Sequence, residues 1–596
     1  MSSVKNYFLI ILTLIAFNTF YAQKYLNLDF ETSTPTGNAI GWYQGGKGYE
    51  VKVDTTVYYS GRKSLKMVKI SSNENGFGLG TLTFPIGDAK GKHLRFTGYI
   101  KTENITSGYA GLWWRVDGND PNKRQGFDNM AGRGATGTSD WKQYIIEMDI
   151  DTAAQNIVFG VLMPGKGAAW FDNLQIELDG KIYKQIAPIS FVPNDEQIKW
   201  LKANVISFDT ADPIKENTDL MKLKSVIGDA RIVSLGEGTH GTSEFFKMKH
   251  RITKFLAEEM GFTVFAIEAN MPEAHKVNEY VLTGKGDPKV SLEGLYFWTW
   301  NTQEVLDMIE WMRQFNASGK GRIEFWGFDM QTPTVAMENV RGFIEKVEPA
   351  YLDSLSLIFG KIKEYYTELK ETQTRSGILY EPAYNLSKQV VDHLIKKRND
   401  YLKTTELATI QFVLQDAKII MQSFEAFLSG KASRDESMAD NVDWILAHMP
   451  PNTKIVLWAH NGHVNKGGTM YKSMGSFLNT RHGNDMIVFG FAFHEGNYRA
   501  SGKNGLGVYG TSSSQPGSIE FALHKTGLPR LILDLRNISS SPLTNWLNNN
   551  LDMRSIGSMA MDYAFYNTVV SKEFDAIIYF DKTTPSNSVR MKEDKK

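Results

Sequence analysis

Residues 231–270 read RIVSLGEGTHGTSEFFKMKHRITKFLAEEMGFTVFAIEAN. Two short apolar runs, RIVSL (231–235) and TVFAIE (263–268), flank a stretch whose apolar residues recur at helical spacing. Strand, helix, strand in this order is the unit that builds a parallel sheet, because parallel neighbours need a long crossover. The same kind of run returns at RIEFWGFDM (322–330), KIVLWAH (454–460), DMIVFGFAF (485–493), PRLILDL (529–535) and FDAIIYF (574–580). Strands apolar on both faces must be covered on both faces, so residues 201–581 are expected to form an α/β domain with a mainly parallel sheet and helices around it. Between about 335 and 449 the period is helical without interruption, which predicts a helical insertion. Residues 582–596 read as a polar tail.

Upstream the pattern is different. Residues 24–180 alternate with period two in runs such as YEVKVDTTV (49–57), HLRFTGYI (93–100) and NIVFGVLM (156–163), separated by Gly, Asn, Asp and Ser. That punctuation predicts an all-β sandwich of jelly-roll type. Its opening NLDFE (27–31), Trp42 and its closing AAWFDNLQIEL (168–178) resemble carbohydrate-binding modules, which implies a glycan partner for this domain. Trp113 and Trp114 are adjacent and so point to opposite faces of a strand; both are expected to be packing residues, the alternative being that one is exposed to stack on a sugar. Residues 181–200, with Pro188 and Pro193, read as a linker. At the N-terminus, Lys5 precedes an apolar run from Tyr7 to Phe17, and Ala22 is a small residue suited to cleavage. Residues 1–22 are therefore expected to be a signal peptide and the mature chain periplasmic or secreted, with no membrane association after cleavage. Phe20, which stands where a small residue is preferred, leaves an uncleaved anchor as the alternative.

Lys+Arg and Asp+Glu both number 66 in the 596 residues, so the formal charge is zero and no nucleic-acid partner is expected. There is no cysteine, which removes disulfides, thiolate nucleophiles and cysteine-based zinc sites. A hydrophobic fraction of 42% is ample for folded cores.

The titratable residues fall at strand ends. Glu237 and His240 follow RIVSL, Glu268 closes TVFAIE, Asp329 closes RIEFWGFD, and His460 and His463 follow KIVLWA. Ligands of open α/β sheets bind outside the carboxyl ends of the strands, so these groups are expected to gather in one cleft. GEGTHG also fits G-x-G-x-x-G. Two features argue against a dinucleotide: the Glu237 carboxylate would sit where a pyrophosphate belongs, and Glu268 lies further than the usual ~20 residues from the glycines. No G-x-S-x-G, H-E-x-x-H or Walker A motif is present. What remains is histidine as a general base for water, oriented by carboxylates. No cofactor is expected. The alternative is a divalent metal at the His240/Glu268/His460 cluster, since two His and two Glu suit Zn or Mn.

Several blocks together resemble the erythromycin esterase family: residues 235–270, FWTWNTQEVLDMIEWMRQFN (297–316), WGFDMQ (326–331), RDESMADNVDWIL (434–446) and WAHNGHV (458–464), spanning about 206–580. The resemblance implies an erythromycin-esterase-like fold and a carboxylic ester hydrolase acting on a small-molecule ester or lactone. In that reading His240 is the base, Glu237 and Glu268 orient histidine and water, and His460 and His463 stabilise the oxyanion or protonate the leaving oxygen. Lys249 stands where the family often carries a basic residue, arginine being a known choice; a solvated or helix-pairing lysine is the alternative to a catalytic one. Lysine keeps the charge without the planar fork. Arg434, Asp435 and Asn441 either line the site or merely start a helix. Two other readings stay open: a glycan-binding or polysaccharide-processing accessory protein with the esterase fold, and a metal-dependent hydrolase.

Overall fold

The computed structural model describes residues 26–589 except 35–36, 72–75, 119–123, 186–190, 373–376, 429, 468–471, 503–504, 537 and 562–563. The proposed signal peptide lies outside the described residues. No helix among the described residues is long and apolar enough to cross a membrane. The chain divides into two units, Met1–Ala187 and Pro188–Lys596.

In the first unit every strand pairing is antiparallel. The 25-residue strand His93–Asp117 serves two sheets. Its first half pairs with Lys166–Leu178 and Ala135–Asp149, its second half with Asn156–Met163 and Arg124–Asp128. The two sheets enclose one core containing Phe96, Leu112, Trp114, Phe159 and Phe171. Trp42 closes one end by donating its indole N–H to the Leu26 carbonyl at 2.9 Å. Trp113 and Trp114 are both buried, at 8% and 0% exposure, as expected of packing residues, and the alternative that one is free for stacking does not hold. Both indole N–H groups lack a hydrogen-bond partner.

The second unit carries a sheet in the order Val205–Ser207, Arg530–Asp534, Ala576–Thr583, Met486–Gly502, Ile232–Leu235, Ile455–Trp458, Val264–Asn270, Glu324–Asp329. From Ala576–Thr583 to Glu324–Asp329 every neighbouring pair is parallel. The pairings of Arg530–Asp534 with Val205–Ser207 and with Ala576–Thr583 are antiparallel. A hairpin strand, Gly505–Thr511, pairs antiparallel with the outer half of Met486–Gly502. Alternation along each strand sorts side chains into two cores. Ile232, Val264, Ala266, Ile455 and Leu457 meet the helices of the insertion, while Val233, Leu235, Phe265, Ile267 and Val456 meet helices Ser243–Met260 and Gln303–Ala317. Burial on both faces is why these strands read as unbroken apolar runs. The insertion consists of helices Thr334–Val347, Leu352–Thr372, Gly377–Tyr401, Leu407–Glu425 and Arg434–His448.

Two boundaries differ from the sequence reading. The stretch 181–200 is not linker throughout. Helix Asp195–Asn204 starts on a capping box between Asn194 and Gln197, buries Leu201, and follows Phe191, which stacks on Trp546 at 4.6 Å. Nor is 582–589 a free tail. The last strand runs to Thr583, Thr584 N donates to Glu244 at 2.7 Å, and Asn587 Nδ2 donates to Glu304 at 3.0 Å.

Candidate active site

The loop after Leu235 is shaped by close contacts. A Cβ at Gly236 would collide with the Asn461 side chain, and one at Gly241 with the Arg499 carbonyl. The glycines therefore let the loop press against its neighbours, which accounts for the G-x-G-x-x-G spacing without a nucleotide. Asn461 stitches the opposite loop into place, donating to Phe491 O at 2.9 Å and accepting from Phe491 N at 3.1 Å.

These loops and strand ends, with helix Ser243–Met260 supplying Lys249, bring all six expected residues, Glu237, His240, Lys249, Glu268, His460 and His463, into one hydrogen-bonded neighbourhood with two halves. In the first, Glu237 is wholly buried. Its Oε1 pairs with His240 Nδ1 at 2.7 Å, and its Oε2 accepts from Lys249 Nζ at 2.7 Å and from Trp458 Nε1 at 2.9 Å. The Lys249 ammonium also lies 4.5 Å from the centre of the Trp458 ring, a cation–π contact. A carboxylate oxygen accepts, so His240 Nδ1 carries the proton and Nε2 presents a lone pair. That Nε2 makes no hydrogen bond to any described residue, and the ring is 13% exposed, walled by Trp300 and His460 at centroid distances of 6.2 and 5.0 Å.

In the second half, Glu268 accepts from Arg434 Nη2 at 2.8 Å on one oxygen and from the His460 backbone N–H at 3.0 Å on the other. The Arg434 guanidinium forks onto Asp329 at 3.1 and 2.8 Å, and Nη1 lies 3.2 Å from His463 Nε2. His463 Nε2 is 3.4 Å from Glu268, and its Nδ1 pairs with Asp435 at 2.8 Å. Arg434 and Asp435 open helix Arg434–His448, whose cap is Ser433, so the insertion delivers a cation and a carboxylate side by side. Asn441 does not line the cluster. It is buried and bonds Gln415, Gln422 and the Phe328 carbonyl. Arg251 on the helix of Lys249 pairs with Asp219, away from the cluster.

His460 is in the cluster, but its bonding departs from the expected role. Gly462 N donates to its Nδ1 at 3.0 Å, and its Nε2 faces the Ile556 carbonyl at 3.2 Å. A carbonyl only accepts, so Nε2 holds the ring's one proton and both nitrogens are spent on backbone. Burial, with His240 nearby, pushes its pKa down to about 3, so the ring stays neutral. It has neither a free donor for an oxyanion nor a proton to spare for a leaving group.

Burial and charge compete throughout. Burial alone would keep Glu237 protonated, but Lys249 and His240 pull its pKa below the ordinary value. Burial lowers Lys249 to about 8 against the pull of Glu237 and Glu268. Glu268 is held well below the carboxylate range despite its burial, by His463, Arg434, His240 and the His460 N–H. His463 is raised above its ordinary value, Glu268 and Asp435 outweighing its burial. A metal at His240, Glu268 and His460 does not fit this donor set. Both Glu268 oxygens and both His460 nitrogens are engaged, which leaves His240 Nε2 alone. Among the described residues no group of three or more His, Asp or Glu is placed to hold a metal ion.

The sequence reading missed Trp458, whose apolar strand position hides its hydrogen bond, and Trp300, which sits in the aromatic block FWTWN. It left Arg434 and Asp435 undecided because nothing local says which way a helix start points.

The comparisons agree with this architecture. The erythromycin esterase family model matches residues 257–583. Erythromycin esterase type II of Escherichia coli is 25% identical over 430 residues, covering 66% of this chain and 99% of its own length. A solved succinoglycan biosynthesis protein is 28% identical with a TM-score of 0.56, over 66% of this chain and 98% of that one. The erythromycin esterase EreC, in an open conformation, shares the fold at a TM-score of 0.52 and 16% identity, over 64% of this chain and 98% of its own. With more than half its length matched by the family model, the chain belongs to the erythromycin esterase family.

Proposed function

We propose that the chain is a hydrolase that cleaves a carboxylic ester or lactone with water activated by His240. The observation that carries this reading is the Glu237–His240 pair at 2.7 Å with Nε2 unbonded. A buried carboxylate that fixes one ring nitrogen as donor makes the other a proton acceptor, the same logic as the histidine of a hydrolytic triad. No described hydroxyl is bonded to Nε2, so water is the nucleophile. His240 takes a proton from water as the oxygen attacks the carbonyl carbon. The donor assigned to the resulting negative oxygen is the Arg434 guanidinium, whose Nη1 bonds only His463 among the described residues. The imidazolium then returns the proton to the leaving alkoxide, giving acid and alcohol. Lys249 keeps Glu237 ionised, and His463 and Arg434 do the same for Glu268. The test is a panel of aryl esters, lactones and one macrolide, assayed with the wild type and with His240→Ala. Turnover that survives His240→Ala unchanged would overturn the mechanism.

A glycan is the proposed partner of the sandwich. The support is an aromatic group on its surface: exposed Tyr59 stacks on Tyr99 at 3.7 Å and meets Trp141 edge-on at 5.9 Å. Affinity electrophoresis in soluble polysaccharides, with Tyr59→Ala as control, tests it. Export follows from the reading of residues 1–22 and is tested by sequencing the N-terminus of the fractionated mature protein.

A further inference from the structure

The helix Ser243–Met260 has a second working face. Lys249 points from it to Glu237, while His250 and Lys247 line a cavity of about 1040 Å³ on another side. The loop around Thr210–Ile214 forms one wall and helix Gln303–Ala317 forms another, through Trp311 and Gln314. The loop wall is held firmly. Arg251 donates to Thr210 O at 2.6 Å and Glu216 O at 2.7 Å, and Lys254 donates to Pro213 O at 3.2 Å. This is a formed concavity in the size range of small-molecule sites.

Its chemistry selects one class of occupant. Trp311 is half-buried, stacked on Phe315 at 5.6 Å and 5.3 Å from the His250 ring, and its indole N–H bonds no described residue. His250 is 4% exposed, and its Nε2 has no hydrogen-bond partner. The carboxylates on the lining are largely committed already: Glu244 to Thr584, Glu304 to Ser243 and Asp581 to His524. Six carboxylates and four Lys or Arg side chains share the lining, so an ion of either sign meets both attraction and repulsion. Burial and Lys254 also keep His250 neutral, so it gives no ion-pair partner to an anion. A hydroxyl both donates and accepts, and so satisfies an imidazole in either tautomer as well as an indole N–H. The apolar face of a sugar ring covers a tryptophan.

We propose that this cavity is a binding site for a neutral saccharide, with Trp311 as the stacking platform. Its lining shares no residue with the ester site or with the aromatic group of the sandwich.

The experiment is isothermal titration calorimetry of the full chain with cellobiose, xylobiose and maltose, and with glucuronate and glucosamine as charged comparators. At least one neutral sugar is expected to bind. Trp311→Ala should weaken that binding by roughly tenfold, the size of an aromatic contact with its buried area, and Trp311→Phe should retain most of it. The exposed-residue variants Gln314→Ala and Lys247→Ala give a readout that does not depend on Trp311→Ala folding. Tyr59→Ala, which touches only the sandwich, should leave this isotherm in place. Binding removed by Tyr59→Ala and untouched by all four cavity variants would overturn the proposal. So would preference for glucuronate or glucosamine over every neutral sugar, or the absence of heat with any neutral sugar at millimolar concentration.

Discussion

The two halves of the active site solve one problem with different cations. Each buries a glutamate that would hold its proton if left alone, and each ionises it with a neighbouring positive charge. At Glu237 the cation is Lys249, a point charge under complete burial whose pKa falls to about 8. At Glu268 it is His463 and, beside it, Arg434, which forks onto Asp329 as well and is raised above its ordinary value. Lysine can be neutralised within a workable pH range and arginine cannot. The half that holds the base therefore has only titratable positive groups, whereas the half that ties down the insertion keeps one permanent cation, Arg434, beside a His463 whose pKa is raised by Glu268 and Asp435 against its burial. The imidazoles differ in the same way: His240 keeps a nitrogen free, while His460, 5.0 Å away, gives both to backbone.

The strongest way to break this comparison is His240→Ala. It should lower kcat by about 10²–10⁴-fold, the usual worth of a general base, while urea unfolding stays close to wild type. Equal losses of activity and stability would mean that the ring is structural. Arg434→Met should do the reverse in kind. It leaves the Glu268 and Asp329 carboxylates without their cation, so equilibrium unfolding should show a loss of about 3–5 kcal/mol.

The alkaline side separates the two cations. Activity should decline as pH rises through about 8, where Lys249 loses its charge, and Lys249→Arg should move that limb upward. Stability should respond in the opposite sense. A lysine whose folded pKa lies below its unfolded value binds fewer protons when folded, so this group's contribution rises from about pH 8 toward the unfolded value near ~10.4. A pH–rate profile beside pH-dependent unfolding would show the curves diverging, and parallel curves would remove Lys249 from the account. The smallest effect is expected for His460→Asn. Asparagine still caps the short turn that follows, so the loss should be about 1 kcal/mol for the missing bond to Ile556, with kcat far closer to wild type than in His240→Ala.

Much of this could be read from residues alone, for a definite reason. Strand ends in a parallel sheet put sequence-distant positions on one edge, so Glu237, Glu268 and His463 could be assembled without coordinates. The long apolar runs likewise announced burial on both faces. What stayed hidden depends on direction rather than position. Arg434 lies 166 residues from Glu268, and only the packing of the insertion turns it inward. His460 and His463 look equivalent in HNGH, yet the one at the cap bonds its own loop and the one a turn later faces Asp435. Alternation alone left open whether Trp113 or Trp114 is exposed, and the structure buries both faces of the strand there.

Trp458 gives the site an optical voice. Its indole donates to Glu237 and lies beneath the Lys249 ammonium, so losing that charge changes the electric field across a chromophore. The difference in ultraviolet absorbance and emission between wild type and Trp458→Phe should therefore shift along with the Lys249 titration. The protonation of the catalytic pair could then be followed in solution without a substrate.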